Sequence, residues 1–473
     1  MQEPIAIPGA ASLAWTQPSP ASAFTARRRR LAECLSPSWD KPVWLVAGYS
    51  RPRNFPHNRY RFRAESHFLY LVGRHLEGAV LVLSAGEWTL YARPADPGDA
   101  LWTGPVPSLD DLAMELELPV RPLDELVGAP AVVLVPPQDA DTAVWLAEKL
   151  DRDVIAGGGD QLDDAAAMLG DALIEVRLRH DEAAIAQLRQ AAIVTERAHR
   201  AGMAATRLGI REAVVRAAME QPIIAAGMCP SYNSIVTVHG EVLHNERHHH
   251  LLGERDLLLA DVGAETEEGW AGDVTRTWPV SGRFSATQRA MYEVVLATEQ
   301  SAIEQVAPGV RYLEVHRHAG YMLLEGLAAL SIVKADPREC YELGLAGLFF
   351  PHGVGHLLGL DVHDMEDLGD RAGYARGRSR PPGAGDRFLR LDRDLEPGMA
   401  VTIEPGFYRI PGLGEREAAG QLAKLVNWEE LAKYSDVRGI RIEDDVLVTS
   451  SGHEVLTRGI PKSVSEVEAA IRS

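Results

Sequence analysis

The stretch His352-Gly353-Val354-Gly355-His356-Leu357-Leu358-Gly359-Leu360-Asp361-Val362-His363 places three imidazoles in one short segment otherwise made of glycines, aliphatic residues and one aspartate. Histidine is poor core filler, because each ring nitrogen needs a hydrogen-bond partner once it is buried. The segment therefore marks a site, and the rest of the chain is read outward from it.

Acidic residues recur in equally unusual settings on both sides. Upstream, the apolar run Leu257 to Ala260 ends on Asp261, and Gly272-Asp273-Val274-Thr275-Arg276-Thr277 supplies a second carboxylate. Downstream, Val401-Thr402-Ile403-Glu404-Pro405-Gly406 and Ile440-Arg441-Ile442-Glu443-Asp444 repeat the pattern. Each carboxylate sits in a strand-like segment, where burial is costly unless a positive charge accompanies it. Salt bridges to Arg276 and Arg441 would account for one or two of them. The whole set calls for a cation.

Asp261, Asp273, Glu404 and Glu443 offer hard oxygen donors and His356 adds a nitrogen. Such a set suits a pair of divalent ions such as Mn²⁺, with Co²⁺, Fe²⁺ or Zn²⁺ also compatible. Two ions roughly 3.5–4 Å apart share a water, lower its pKa and clamp the oxygens of a hydrolytic transition state. Metal-assisted hydrolysis is the expected chemistry, with Thr275 placed to hydrogen-bond a ligand carboxylate.

The chain has 473 residues, a length for two or three domains, and carries 48 basic against 67 acidic residues, a net charge of -19. That field repels phosphate backbones and anionic membranes, so no nucleic-acid or membrane partner is expected. Cys34, Cys229 and Cys340 fit no zinc or redox spacing. The Ala/Ser/Pro-rich first residues lack a signal-peptide pattern, and a cytoplasmic location is expected. The four arginines Arg27 to Arg30 read as a solvated helix face.

From Pro42 to about Val135, β-prone runs (43–47, 79–83 and 131–135) alternate with helix-like segments such as 141–150, the mark of an α/β domain. The spacing of apolar residues predicts helices over 181–203 and 210–226. Together these give a smaller amino-terminal α/β domain, residues 1–170, ahead of a larger α+β domain, 171–473. The Pro/Gly/Arg-rich region 369–386 reads as a surface insertion or loop, and His248-His249-His250 as a solvated turn.

The ordered set Asp261, Asp273, His356, Glu404 and Glu443, in these settings, resembles the pita-bread metallopeptidases, a superfamily that includes methionine aminopeptidase, aminopeptidase P, prolidase and creatinase. Leu360-Asp361-Val362-His363-Asp364 and Arg441-Ile442-Glu443-Asp444-Asp445 resemble its proline-specific branch, and Asn58 through Gly73 is similar to the aminopeptidase P amino-terminal domain. The resemblance implies that Asp261 binds one metal, His356 and Glu404 the other, and that Asp273 and Glu443 bridge. It further implies that Glu404 handles the proton of the attacking water, that His244 lies beside the substrate, and that His352 and His363 contact the scissile peptide and the proline. Arg441 lies behind the metals, and Tyr408, like Tyr232, is either a site residue or a core aromatic. The segment from Asp261 to Asp273 is one residue longer than in many relatives, an extension expected in a hairpin around 266–269.

An Xaa-Pro bond is a tertiary amide with no N–H, which suits a site that grips the free amino end and packs the ring against imidazoles. The family implies proline-containing peptides or dipeptides as substrates and a homodimer or homotetramer. Trp102 resembles an aminopeptidase P tryptophan that reaches a neighbouring subunit's site, unless it is local core. Arg390 resembles a prolidase arginine that clamps a dipeptide carboxylate, unless it pairs with a nearby aspartate. The expected activity is an Xaa-Pro aminopeptidase, with a strict Xaa-Pro dipeptidase as the close alternative and a non-catalytic binding protein on the same fold as a third.

Overall fold

The computed structural model describes residues 17–35, 39–96, 98–159, 162–383, 385–410 and 420–472. The chain divides into two compact units, one of residues 18–184 with 365–373, the other of residues 1–17, 185–364 and 374–473. No helix among the described residues is long and apolar enough to cross a membrane.

In the first unit, the strands Val43–Val46, Val80–Ser84, Glu87–Ala92 and Val120–Pro122 form a sheet in that order, antiparallel except for the last pair. The two central strands are joined by Ala85 and Gly86, with φ of 50° and 81°. Positive φ at both positions gives the turn the twist that a two-residue hairpin needs. Trp44, Val46, Val80, Val82, Leu146 and Leu150 pack as a core between this sheet and the helix Ala140–Leu150. The run 131–135, expected as a strand, makes only a single parallel bridge, Val133 to Val43. Pro130 and Pro136 flank it, and proline has no N–H with which to extend a ladder.

The arginine run departs from expectation. On the helix Ala21–Cys34, Arg27 and Arg28 are buried, 0% and 3% exposed. Arg27 makes a two-pronged pair with Asp181 at 2.8 Å on each prong and lies over the Tyr70 ring. Arg28 donates to the Leu71 carbonyl at 2.9 Å, and burial pulls its pKa down to about 10. A planar guanidinium reaches carbonyl and carboxylate acceptors inside a fold, where a charge count alone sees only a solvated face.

In the second unit the chain runs helix pair, strands, helix pair, strands. The helices Glu182–Ala205, whose first turn belongs to the first unit, and Glu212–Ala225 form where the apolar spacing predicts. The antiparallel sheet Thr275–Pro279, Leu257–Asp261, Ile235–Thr237 follows. Helices Ala286–Glu304 and Tyr312–Ala329 then pack together ahead of the sheet Ala400–Ile403, Asp444–Val448, His453–Val455 and the ribbon Gly406–Tyr408 with Gly439–Arg441. Between Asp261 and Asp273 the chain makes a turn closed by Gly269 N–H on the Thr266 carbonyl at 2.9 Å, where the hairpin is expected.

Region 369–386 is largely the expected loop among its described residues, but not all of it lies at the surface. Its first residues form the helical turn Asp370–Gly373, Tyr374 is buried, and its hydroxyl donates to the Leu389 carbonyl at 2.6 Å.

Candidate metal centre

Strand register brings the four carboxylates together. Thr275 pairs with Asp261, so Asp273 enters its strand beside the end of the strand that Asp261 closes. Ile403 pairs with Asp444, which sets Glu404 and Glu443 side by side just past the other antiparallel pair. The histidine segment is stitched onto the same strand end. Glu404 N–H donates to the Val354 carbonyl at 2.8 Å, Thr402 N–H to the His356 carbonyl at 3.1 Å, and His356 N–H to Thr402 Oγ1 at 3.2 Å. So close an approach requires Gly355, since a Cβ there would lie 2.1 Å from the Thr402 carbonyl oxygen.

His356 shows what the site is built to hold. Its Nδ1 lies 3.0 Å from the Leu357 carbonyl, which can only accept, so Nδ1 carries a hydrogen. Nε2 faces Asp273 Oδ2 at 3.3 Å and Glu404 Oε1 at 3.7 Å. A ring nitrogen aimed at two buried carboxylates needs a cation between them, either a proton or a metal ion. Ligand atoms of Asp273, His356 and Glu443 all lie within 4.8 Å of one another, and all three residues are buried.

The electrostatics agree. Burial, opposed by Arg441 but reinforced by the Asp273 charge, raises Asp261 to about 6. Burial also raises Glu404 to about 7 against the pull of His356 and Arg441, and pushes Glu443 well above the usual carboxylate range with the Asp273, Glu404 and Asp261 charges added. For His356 burial works downward, yet the hydrogen bond and charge of Asp273 together with Glu404 lift it to about 9. Burial works upward on Asp273 too, yet the hydrogen bond and charge of His356 lower it, so the protons that bound cations would displace sit on its neighbours and on His356. Oxygen-rich donors with one imidazole thus fit a divalent-metal centre.

The surroundings orient these ligands. Tyr232 Oη donates to Asp261 Oδ1 at 2.5 Å and to Asp273 Oδ1 at 2.7 Å as alternative acceptors, which puts it beside two of the candidate ligands. Thr275 Oγ1 donates to Glu443 Oε2 at 2.7 Å. Arg441 donates to Asp261, Thr275 and Tyr408. Tyr408 is fully buried and lies 2.8 Å from His352 Nε2. His352 Nδ1 faces the Gly353 carbonyl at 2.8 Å, so Nδ1 donates there and Nε2 accepts from Tyr408. Burial and the Arg441 charge lower His352 to about 3; burial and the His356 charge do the same for His363.

These groups open on a cavity of about 420 Å³. Asp261, Asp273, Glu404 and Glu443 supply its acidic lining, Arg380, Arg390 and Arg441 its basic lining, and His244, His352, His356 and His363 its imidazoles. Tyr408 is not among the lining residues; it acts on His352 from behind. Arg380 and Phe388 were missed in the sequence, Arg380 because the surrounding prolines and glycines read as loop. Arg380 Nη1 donates to the Leu389 carbonyl at 2.7 Å, beside Arg390. Of the aspartates near Arg390, Asp392 pairs with Arg311 and Asp394 with Arg378, and Arg390 has interactions of its own. Trp102 is 84% exposed in the first unit, which excludes local core.

A second group, Glu65, His67 and Asp367, also has ligand-type atoms within 4.8 Å. Arg177 Nη1 is 2.9 Å from His67 Nδ1 and can only donate, so in the neutral ring Nε2 carries the hydrogen, toward Asp367 at 3.0 Å. That leaves no lone pair for a metal.

The centre is that of a metal-dependent hydrolase, carboxylate-rich with a single imidazole. The chain belongs to metallopeptidase family M24, whose model matches residues 186–450. Residues 24–129 match the aminopeptidase P, N-terminal domain. The chain is 30% identical over 460 residues to the probable Xaa-Pro aminopeptidase pepP of Aspergillus clavatus, covering 94% of this chain and 96% of that one. It is also 30% identical over 477 residues to the human Xaa-Pro dipeptidase, covering 96% and 94%. Among solved structures, Pseudomonas aeruginosa aminopeptidase PepP superposes with a TM-score of 0.78 at 29% identity, over 96% of this chain and 98% of that one. Escherichia coli aminopeptidase P with the inhibitor Pro-Leu gives the same score and identity over 96% and 99%. The fold is the expected pita-bread α+β domain behind an aminopeptidase P-type amino-terminal domain.

Proposed function

We propose that this metallo-exopeptidase is an Xaa-Pro aminopeptidase, removing the amino-terminal residue from peptides whose second residue is proline. The observation that carries the reading is the cavity itself, with carboxylates for an amino terminus and metal ions and, among its other lining groups, unprotonated imidazoles for a proline ring. Relatives named as Xaa-Pro aminopeptidase and Xaa-Pro dipeptidase, similar over nearly their whole lengths, support it.

Asp261, Asp273, His356, Glu404 and Glu443 would hold two divalent ions, Mn²⁺ by preference, with Co²⁺, Zn²⁺ or Fe²⁺ able to replace it. When bound, the ions polarise the scissile carbonyl and lower the pKa of the attacking water. Glu404, 3.6 Å from His352 Nδ1, handles the proton that passes to the departing proline nitrogen. His352, with both nitrogens already engaged, offers its ring to the proline; His363 and His244 complete that wall. Arg441 and Tyr408 hold Asp261 and His352 in place.

A second reading, strict Xaa-Pro dipeptidase, is favoured by Arg380 and Arg390 in the same lining, since two guanidiniums suit the free carboxylate of a dipeptide. We propose the division of the chain at about residue 170, supported by the two family matches, and a cytoplasmic homodimer or homotetramer in which the exposed Trp102 meets a neighbouring subunit. A manganese-supplemented assay comparing an Xaa-Pro dipeptide with an Xaa-Pro-Yaa tripeptide, with Glu404→Ala as the blank, tests the activity. Cleavage of the tripeptide supports the aminopeptidase, cleavage of the dipeptide alone makes the enzyme a dipeptidase, and no Glu404-dependent cleavage of either removes both.

A further inference from the structure

His244 lies on a stretch without regular secondary structure that leaves the strand Ile235–Thr237 at Val238 and ends at His250. Leu243 and His244, near its middle, line the cavity. Next to His244, Asn245 Nδ2 donates to Thr237 Oγ1 at 3.0 Å, Val242 N–H donates to the His239 carbonyl at 2.9 Å, and Arg438 reaches Glu241 at 3.1 Å. What holds the two ends of the loop is one face of the helix Glu212–Ala225, on which Glu212, Arg216 and Glu220 recur at four-residue spacing.

Glu212 is fully buried and grips both ends of the loop. Its Oε1 accepts from Val238 N–H at 2.8 Å and Thr237 Oγ1 at 3.2 Å, where the loop begins. Its Oε2 accepts from His250 N–H at 3.1 Å and stands 3.1 Å from His250 Nδ1, where the loop ends. One turn on, Arg216 contacts His248 Nδ1 at 3.4 Å, and His248 Nε2 reaches the Ser234 carbonyl at 2.9 Å. Glu220 accepts from Ser234 Oγ at 2.8 Å. The helix also spends its own first amides on the loop, Glu212 N–H on the His250 carbonyl and Ala213 N–H on the His248 carbonyl, at 3.1 and 3.2 Å.

We propose that Glu212 is a positioning residue that closes the neck of this loop and thereby fixes His244 in the substrate cavity. A carboxylate is the group the neck requires, because both of its oxygens only accept: Oε1 faces donors at the start of the loop and His250 Nδ1 at 3.2 Å, and Oε2 faces His250 at its end. Glutamine would turn an NH₂ against an N–H at one end, and aspartate would fall one methylene short. The three-histidine run acquires a role in the same stroke. His248 and His250 are half-buried clasps of the neck, not residues of a solvated turn, and only His249 is exposed.

The proposal rests on the assignment of His244 to the substrate, and the test separates the two. Full-length, manganese-loaded wild type, E212Q, H244A and the double variant are assayed on Ala-Pro-Ala and Ala-Pro, with hydrogen exchange followed across residues 238–250. E212Q is expected to lower kcat/KM about 10- to 100-fold, the loss typical when a positioning partner is removed, and to speed exchange in the loop. In the H244A background E212Q should change kcat/KM no further, because its effect passes through His244. An equal loss in both backgrounds, or undiminished kcat/KM in folded E212Q, overturns the proposal. Full activity in H244A overturns the His244 assignment, and the proposal with it. Should E212Q fail to fold, H250A removes the half-buried side-chain contact to Glu212 together with the ring contacts to His239 and His249. It is expected to cost about 3- to 10-fold, the equivalent of one hydrogen bond, again only when His244 is present, and a loss independent of His244 overturns the proposal.

Discussion

Arg441 Nη2 stands 2.6 Å from Asp261 Oδ2, and the same guanidinium donates to Thr275 Oγ1 at 2.8 Å and to Tyr408 Oη at 3.0 Å. Through Thr275 it reaches Glu443, and through Tyr408 it reaches His352. One buried planar cation therefore orients two carboxylates and an imidazole from behind. Lysine keeps the charge but not the fork. Arg441→Lys is expected to fold, to bind metal about 10-fold more weakly and to lose about 100-fold in kcat/KM. Metal titration and steady-state kinetics check this, and wild-type values for both would show that the fork is dispensable.

Removing the metals should leave a protein whose stability falls as pH rises above neutrality. Although burial alone would lower it, His356 is raised to about 9 by Asp273 and Glu404. A group with a raised folded pKa stabilises fully below its unfolded value and loses that contribution as pH climbs through the folded one. Glu404, raised to about 7 chiefly by burial, acts in the same direction. His352 and His363, lowered to about 3, act oppositely, but only between their folded values and the ordinary histidine pKa of 6.5. Above about pH 7 the opposing effect of His352 and His363 is complete, and Glu443, pushed well above the usual carboxylate range by burial and the neighbouring charges, acts in the same direction as His356. The chelated protein is expected to lose about 3 kcal/mol between about pH 7 and pH 9.5, measured by urea unfolding. Adding Mn²⁺ at about one hundred times its dissociation constant should add about 2.7 kcal/mol. A flat pH profile in the chelated protein would contradict the proton-for-metal exchange.

The candidate ligand set stood out in the sequence because each carboxylate closes or opens an apolar strand, a pattern with few inexpensive explanations. Tertiary register was not. Nothing in the residues themselves says that Thr275 faces Asp261 or that Ile403 faces Asp444, yet those pairings bring the ligands within reach of one another. Arg380 was hidden for a related reason. Its proline- and glycine-rich neighbours signal an irregular backbone, and irregular backbone is as able to line a cavity as to face solvent. Tyr408 was left open between core and site and turns out to serve both, fully buried and bonded to His352.

Arg27 tests how far a charge run can mislead. Its guanidinium is buried against Tyr70 and paired with Asp181. Removing one partner of a buried pair leaves the other uncompensated, at a cost of about 3–5 kcal/mol, with the lower end expected because Asp181 is 27% exposed. Arg29, 73% exposed at its side chain, is the control. Arg27→Ala should lower the unfolding free energy by about 3 kcal/mol, and Arg29→Ala by less than about 0.5 kcal/mol. Equal effects would return the run to the solvated-face reading.

Arg390 and Arg380 decide how the substrate ends. A dipeptide presents its carboxylate immediately after the proline, whereas a tripeptide replaces it with a neutral amide. If Arg390 clamps that carboxylate, Arg390→Ala should raise KM for Ala-Pro about 10- to 100-fold, the loss of one charge-assisted contact of about 1.5–3 kcal/mol, and leave Ala-Pro-Ala nearly unchanged. Arg380→Ala should act in the same direction, since Arg380 lines the same cavity. Amidated Ala-Pro should then behave in the wild type as Ala-Pro does in Arg390→Ala, since both lack the same ion pair. Equal losses on dipeptide and tripeptide would remove the clamp and leave the aminopeptidase assignment without a dipeptidase rival.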